Sequence, residues 1–488
     1  TRLLATSAFP CIVALSAAGL TAGPTSAATV CADQGTTPPS LLCSGAVDVA
    51  VDDGRDALTV TVEPGATVAP PTDRAMTLGG ADQTVINQGT IESADDEAVR
   101  GTQARLTVDN SGTIRADEDR AIRLQADANG SRIVNRATGE IFSKDQAIRA
   151  DNGDRLADIT VENFGLIRAT EGRTIQSRGP GTTVFNYGTL DGGEEVVEAR
   201  DNFRLENYGE IVIGERTRDD GNGGTVTFLP DDEDGVQFAS GTVDNHGLIR
   251  GTDDGIDFDE GMITNHAGAV IQTVGSSGNG IDIDEVFDNG VDADERLNLL
   301  ARIDNRGLIE GSQAVGADAA AQNPVTILNS GVIRGTLGTA IGLAPGQGDT
   351  LVELSGGGQI FGDVLFGNGG TNTLVFDGLT DGAGIFSKVS AQNAGTFDVV
   401  FRNMTLSDML AYRLTGDLFE LDVATGSSRF RLNAHGANSF ELEGIARGSS
   451  EFAAYLGANG VAPIPLPAAA WLLLSGVAAL GAVARRRC

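Results

Sequence analysis

The chain reads as an all-β protein, a parallel β-helix, and three observations predict it. A motif of the form apolar-x-Asn-x-Gly-x-Ile/Leu recurs at Asn87, Asn110, Asn135, Asn163, Asn186, Asn207, Asn245, Asn265, Asn305 and Asn329, mostly 20 to 28 residues apart with two gaps of 38 and 40. In the copy VDNHGLIRG, Val243, Asn245, Gly247 and Ile249 share one parity, so an extended chain turns them to one side and Asp244, His246 and Leu248 to the other. A second apolar element follows about 10 to 16 residues after nearly every Asn, at Val99, Ile122, Ile148, Ile175, Val197, Ile256, Ile281, Val315 and Ile341. Each repeat therefore holds at least two strands, neither able to bury its apolar face alone, and a period near 23 residues must stack into a solenoid.

Within a coil the Asn and Gly have mechanical work to do. Both tolerate the tight or left-handed backbone that a bend between short strands requires. Stacked Asn side chains can also donate and accept along the axis, forming a ladder that satisfies buried amides. Asn135 is followed by Arg136-Ala137-Thr138-Gly139 and Asn265 by His266-Ala267-Gly268, so Gly arrives late and bulges are predicted there. The two long gaps predict an extra turn or an inserted loop.

From the start of the chain, residues 1–28 carry one positive charge, an apolar run and small residues at Ser26 and Ala28, the layout of a secretory signal. Cleavage is expected after Ala27 or Ala28, with export through the Sec machinery. Cys11 lies in that signal and Cys488 ends the chain, leaving Cys31 and Cys43 able to pair. Their loop would contribute about 3 kcal/mol and pin the N-terminal end; two unpaired thiols are the alternative. Residues 29–84, with AVDVAV, LTVTVEPGATV and MTL, read as an N-terminal β cap, and residues 85–345 as the β-helix repeats. Residues 346–460 keep short apolar runs (LVEL, DVLF, NTLVF, FDVVF) without the motif, and read as further coils or a C-terminal β region. Some 14 to 17 coils at about 4.8 Å each would make a rod on the order of 70–80 Å long.

Composition agrees: 66 Gly, one Trp and 41% apolar residues suit a narrow β core with many turns. The formal charge of −33 becomes −37 without the signal and tail, whose only charges are Arg2, Arg485, Arg486 and Arg487. Such a surface repels nucleic acid and favours divalent cations.

Residues 461–488 contain an apolar span of about 17 residues, Ala468 to Ala484, before Arg485, Arg486 and Arg487. A single hydrophobic helix there is short for a membrane span, and the basic cluster would stay cytoplasmic. Ile464-Pro465-Leu466-Pro467-Ala468, the span with its Leu-Ser-Gly, and the terminal arginines resemble the VPLPA-CTERM sorting tails, relatives of the PEP-CTERM tails. Ile464 replaces that family's Val, and Cys488 follows the arginines. The resemblance implies an envelope protein of a Gram-negative bacterium, held transiently in the inner membrane until an exosortase-type processing enzyme acts on Pro465, Leu466, Pro467 and Ala468. A plain membrane anchor is the alternative. The repeats also look like the Asn-x-Gly-x-Ile coils of autotransporter adhesin passengers, although here a hydrophobic tail stands where those proteins carry a translocating barrel.

Chemistry is sparse. TDDGIDFDEG (252–261) and its near copy GNGIDIDEV (278–286) should point Ile256, Phe258, Ile281 and Ile283 inward, and Asp257, Asp259, Asp282 and Asp284 outward. Stacked in register, these carboxylates would lie about 5 Å apart, a repulsion that bound calcium would relieve; a solvated acidic face is the alternative. The Asp-Gly-Ile-Asp wording also looks like a piece of polygalacturonase-type glycosidases, whose clustered acids act as general acid and base, but no companion Gly-His-Gly or Arg-Ile-Lys follows. His246 and His266 share a slot that elsewhere holds Gln88, Ser111, Arg136, Phe164, Tyr187, Tyr208, Arg306 and Ser330, as an unconstrained exposed position would. Arg100, Arg123 and Arg149 form a candidate ladder beside Asp96, Asp119 and Asp145, suited either to an anionic glycan or to mutual neutralisation. GNGGTNTL (367–374) resembles one calcium-binding β-roll repeat but has Asn372 where Asp is expected, and is assigned no ion. Walker, zinc-protease, Cys-x-x-Cys and nucleophile-elbow motifs are missing from the sequence. The expectation is a non-enzymatic cell-surface or matrix solenoid, structural or adhesive, with extracellular polysaccharide or other cells as partners; a polysaccharide hydrolase or lyase is the alternative.

Overall fold

The structure, a computed structural model, describes residues 30–378 except 126, 152–157, 220–223, 285–299, 318–323, 345–347 and 368–369, and beyond these the strands Val389–Ala391, Thr396–Arg402, Leu432–Ala434 and Phe440–Leu442. The signal segment and the sorting tail lie outside the described residues. The chain is a parallel β-solenoid of about 12 turns. No helix among the described residues is long and apolar enough to cross a membrane.

Each coil has three strands rather than the minimum of two. In one coil these are Thr107–Asn110, Thr113–Ala116 and Ile122–Leu124, pairing in parallel with Arg132–Asn135, Glu140–Ser143 and Ile148–Ala150 of the next. The motif spans two of them: its strand ends at the Asn, and a new one begins after the Gly, as at Val236–Asn245 and Leu248–Gly251. Val243, Asn245 and Ile249 are buried as their shared parity predicted, but Gly247 occupies the bend between sheets. We call the sheet ending in Asn the first, the next the second, and the one built on Val99, Ile122 and Ile148 the third.

Alternation buries every other residue and stacks like on like. Val85, Val108, Ile133 and Val161 form one column of the core, Ile91, Ile114, Ile141 and Ile167 a second, and Val99, Ile122, Ile148 and Ile175 a third, all nearly or fully buried. Each such side chain contributes about 1.5–3 kcal/mol by leaving water.

Asparagine occupies one continuous column. Nδ2 of Asn87 donates to Oδ1 of Asn110 at 2.7 Å, and the relay passes through Asn135, Asn163, Asn186, Asn207, Asn245, Asn265 and Asn305 to Asn329 at 2.8–2.9 Å. The second hydrogen of each amide reaches a backbone carbonyl of the following coil, as from Asn163 to Thr189 at 3.1 Å. In several coils Oδ1 also accepts the N–H of the Gly two residues on. Ten amides are therefore buried with their hydrogen bonds made. Val62 and Leu354 take the same slot at either end.

The motif glycines are needed for close approach, not for left-handed backbone: none of Gly89, Gly112, Gly188 or Gly209 has positive φ. A methyl group on Gly188 would lie 2.1 Å from the carbonyl oxygen of Gly165, and one on Gly209 2.0 Å from that of Gly188.

No bulge forms at Asn135 or Asn265. Both keep unbroken register with the coils before and after. Their extra residues bow out into the turn, which Gly139 N–H closes onto Arg136 O at 2.7 Å and Ala269 N–H onto His266 O at 3.0 Å. A turn absorbs an insertion without disturbing a ladder. The register shifts occur instead near Gly311–Gln313 and Arg334–Ile341.

Both long gaps are inserted loops, since Asn207 pairs directly with Asn245 and Asn265 with Asn305. The first carries an antiparallel hairpin, Arg216–Asp219 with Thr225–Phe228. The second includes residues 285–299, outside the described residues.

The same sheets run from Ser40–Cys43, which pairs in parallel with Thr59–Val62. Cys31 and Cys43 are disulfide-bonded, tying the antiparallel strand Ala32–Asp33 to the first coil. Beyond the last motif, Thr350–Ser355, Thr371–Asp377 and Thr396–Arg402 continue the first sheet, and Phe440–Leu442 pairs antiparallel with both Val389–Ala391 and Leu432–Ala434.

Candidate functional site: an acidic groove on the third sheet

The middle residue of each third-sheet strand points away from the core, and register places these residues in one column: Arg100, Arg123, Arg149, Gln176, Glu198, Gln237, Asp257 and Asp282. The column continues N-terminally through Thr77 to Asp52, so its three arginines stand between Asp52 at one end and Asp257 and Asp282 at the other. A parallel column at the preceding corner holds Glu97, Arg120, Gln146, Arg173, Glu195, Asp234 and Asp254.

In the N-terminal half, charge is neutralised locally. Buried Glu97 is gripped by Arg74 and by Arg123 at 2.8 Å, and Asp151 lies 2.8 Å from Arg149 and 3.3 Å from Arg123. Burial alone would raise the Glu97 carboxyl, but hydrogen bonds from Asp96, Arg123 and Arg74 hold it well below the usual range. Asp96, Asp119 and Asp145 do not pair with the Arg100, Arg123 and Arg149 ladder as expected. They sit at the corner, where Arg74 takes Asp96 and Arg120 takes both Asp119 and Asp145.

Arg173 is the last cation of the corner column, meeting Glu194, Glu195 and Glu198 at 2.7, 2.8 and 2.6 Å. Beyond it the column is carboxylate only. Oxygens of Asp234, Asp253 and Asp254 lie within 4.8 Å of one another. The backbone N–H of Asp254 donates to Oδ1 of Asp234 at 3.0 Å, and that of Asn279 donates to Oδ1 of Asp254. Burial, then the charge of Asp257, pushes Asp234 up to about 8. Burial, then Asp282 and Asp234, pushes Asp254 up to about 9. Glu233 rises to about 7 through burial and the charges of Glu195 and Glu194. Sequence reading passed over this cluster although its signal was present: Glu233-Asp234-Gly235-Val236 repeats the wording of Asp253-Asp254-Gly255-Ile256.

Beside the cluster, Glu198, Arg200, Gln237, Asp257, Asp259 and Asp284 line a groove of about 240 Å³. Three of the four expected aspartates thus share it, while Asp282 is the in-register neighbour of Asp257. Asp257 accepts from Nε2 of Gln237 at 2.9 Å. Asp259 lines the groove with Asp257 and Asp284 but is only 6% exposed. Register passes from Phe238–Phe258 to Ser240–Glu260, leaving Ala239 and Asp259 out of the ladder where the chain leaves the third sheet. The groove also holds Arg200 and Gln237, whereas the converging oxygens of Asp234, Asp253 and Asp254 form a donor set that suits a hard cation such as calcium.

His246 and His266 stack at 3.7 Å between ring centroids and 11° between planes. They end a ladder of rings, Phe164, Tyr187, Tyr208, His246 and His266, along the bend between the first and second sheets. Stacked imidazoles direct their in-plane lone pairs alongside each other, so the pair is a continuation of the aromatic ladder rather than a chelate. The shared slot carried the signal for this ladder, which only the registered stacking reveals. Asn372 is buried, with Nδ2 donating to the Gly367 carbonyl at 3.3 Å.

No protein family, curated protein or solved structure matches this chain.

Proposed function

We propose that this protein is an exported, non-enzymatic rod that serves at the cell surface or in the extracellular matrix as a structural or adhesive element, sorted through its C-terminal tail. The observation that carries this reading is the unbroken Asn87 to Asn329 ladder inside a parallel solenoid. Every coil is secured by its neighbours, so length is gained by repetition and the outer surface is free to vary. The acidic surface suits a hydrated exterior and divalent cations. Export and sorting rest on the signal-like residues 1–28 and on the resemblance of Pro465 to Arg487 to sorting tails. Fractionation of native cells with mass spectrometry of both termini tests it. A mature N-terminus near Thr29 and a C-terminus cut near Pro465–Ala468, recovered outside the inner membrane, are expected. An intact chain through Cys488, confined to the inner membrane or cytoplasm, overturns it.

A second reading, a polysaccharide hydrolase or lyase, is favoured by one observation: Asp257, Asp259 and Asp284 share a groove with Arg200 and Gln237. Paired carboxylates with hydrogen-bonding neighbours are what glycosidic chemistry requires. Turnover of acidic or neutral polysaccharides that Asp257→Asn abolishes would establish it in place of the first.

A further inference from the structure

The aromatic ladder ends on two histidines, which differ from the rings before them in being able to take a positive charge. The His246 ring lies between Tyr208, 4.4 Å away, and His266, 3.7 Å away, with planes 6° and 11° apart. Register sets Glu206, Asp244 and Asp304 beside the pair on the first sheet, and Glu210, Leu248, Val270 and Leu308 on the second. Arg306 fills the next slot of the bend and is engaged by Asp304 at 3.0 Å. Among the described residues one carboxylate reaches a ring nitrogen: Oδ1 of Asp244 lies 3.4 Å from Nε2 of His266.

We propose that the His246–His266 stack is an acid-sensitive end to the aromatic ladder: it holds with a proton on one ring, and a second proton drives His246 out of it. The first proton goes to His266, where Asp244 faces it. The second must settle on His246, whose ring centre is 3.7 Å from that of His266. Like charges so close repel even in water, which weakens the second proton roughly tenfold. Desolvation against its neighbours, and then the charge of His266, hold the His246 imidazole below its ordinary 6.5, against the pull of Asp244 and Glu206. This cost is absent above 6.5, where folded and unfolded chains both carry the ring neutral, and it grows as pH falls below that value. His246 is the ring that leaves, because it is exposed, whereas His266 is half-buried and faces Asp244. Beneath the bend Asn245 still donates to Asn265 at 2.9 Å, so the coils stay together while the ladder shortens to Phe164, Tyr187 and Tyr208. Tyrosine in this slot stacks without such a response, and histidine confers it.

The full chain, labelled at its histidine rings and kept in mild detergent to mask the apolar tail, is titrated by NMR from about pH 7.5 to about pH 4.5. His246→Tyr and His266→Gln assign the signals. Two separate steps are expected, His266 first and His246 bound about tenfold more weakly, with the ring-current shifts of the His246 signals lost in the second step and circular dichroism unchanged. Asp244→Asn should weaken the first step. His246→Tyr should leave His266 titrating in a single step and should lose less melting temperature than the wild type between about pH 7.5 and about pH 5. One common step for both rings, ring-current shifts that persist once both are protonated, or an equal acid loss in the wild type and in a folded His246→Tyr variant overturns the proposal.

Discussion

Asn163 donates one amide hydrogen to Oδ1 of Asn186 at 2.9 Å and the other to the carbonyl of Thr189 at 3.1 Å, so one side chain ties two sheets of the next coil together. It also accepts from Asn135 at 2.9 Å and from the N–H of Gly165 at 3.2 Å. Asn163→Leu fills similar space but strands the amide hydrogen of Asn135, the carbonyl oxygens of Asn186 and Thr189, and the N–H of Gly165. The variant should lose on the order of 1–3 kcal/mol. Denaturant unfolding of the two proteins side by side measures it, and an unchanged midpoint would count against the ladder.

Glycine at the bend is a steric requirement. Gly188→Ala sets a methyl group 2.1 Å from the Gly165 carbonyl oxygen, so coils must move apart at that corner, at a cost of about 1–3 kcal/mol. Gly268→Ala, in the longer turn, meets nothing within 4 Å, although its φ of +86° carries its own strain. The expected outcome in thermal melts is that Gly188→Ala falls further than Gly268→Ala, and the reverse order would mean that backbone angle, not approach, selects glycine in the motif.

The corner carboxylates should make stability fall as pH rises. Asp234 and Asp254, raised to about 8 and about 9 from an ordinary 3.8, keep their protons in the folded state after the unfolded chain has lost them. Their stabilisation is full below about 3.8 and is lost progressively as pH climbs through 8 and 9. Asp234→Asn and Asp254→Asn should therefore raise the melting temperature at alkaline pH by an amount worth a few kcal/mol, and change it little in acid. Melting curves across pH decide, and a wild-type protein that becomes steadily more stable above neutrality would refute the burial argument.

Calcium offers these carboxylates another form of relief. A ligand that binds only the folded state raises stability by mass action. Calcium should raise the melting temperature, magnesium less, because calcium accepts irregular shells of carboxylate oxygens. Asp257→Asn together with Asp282→Asn should reduce the effect. If the calcium response is undiminished in that variant, the ion is held elsewhere, with Asp234, Asp253 and Asp254 the next residues to replace.

Much of this architecture was legible because burial here follows a short period. Parity alone assigned Val243 and Asn245 to the core, and the spacing of Val99, Ile122 and Ile148 located the third sheet. The second sheet was less visible because its strand begins right after the motif glycine, so a bend at Gly247 reads on paper as one continuous strand. Asp257 and Asp282 were found as neighbours because identical wording in consecutive coils implies register. The low exposure of Asp259 was not legible, because strand parity says nothing of how deep a residue sits where the strand leaves its ladder. Arg74 and Arg120, the true partners of Asp96, Asp119 and Asp145, belong to a corner whose geometry no strand period describes.

The most direct test of the stacked solenoid is a set of spin-label distances from one slot of the coil. Gln88, Tyr187, His246 and Ser330 all occupy the exposed position after a ladder Asn. With one label at Gln88→Cys and the second at Tyr187→Cys, His246→Cys or Ser330→Cys, the account predicts separations of about 19, 29 and 43 Å, one step of about 4.8 Å per coil whatever the length of chain between. Distances that instead track the number of intervening residues, jumping across the long insertion between Asn207 and Asn245, would contradict it.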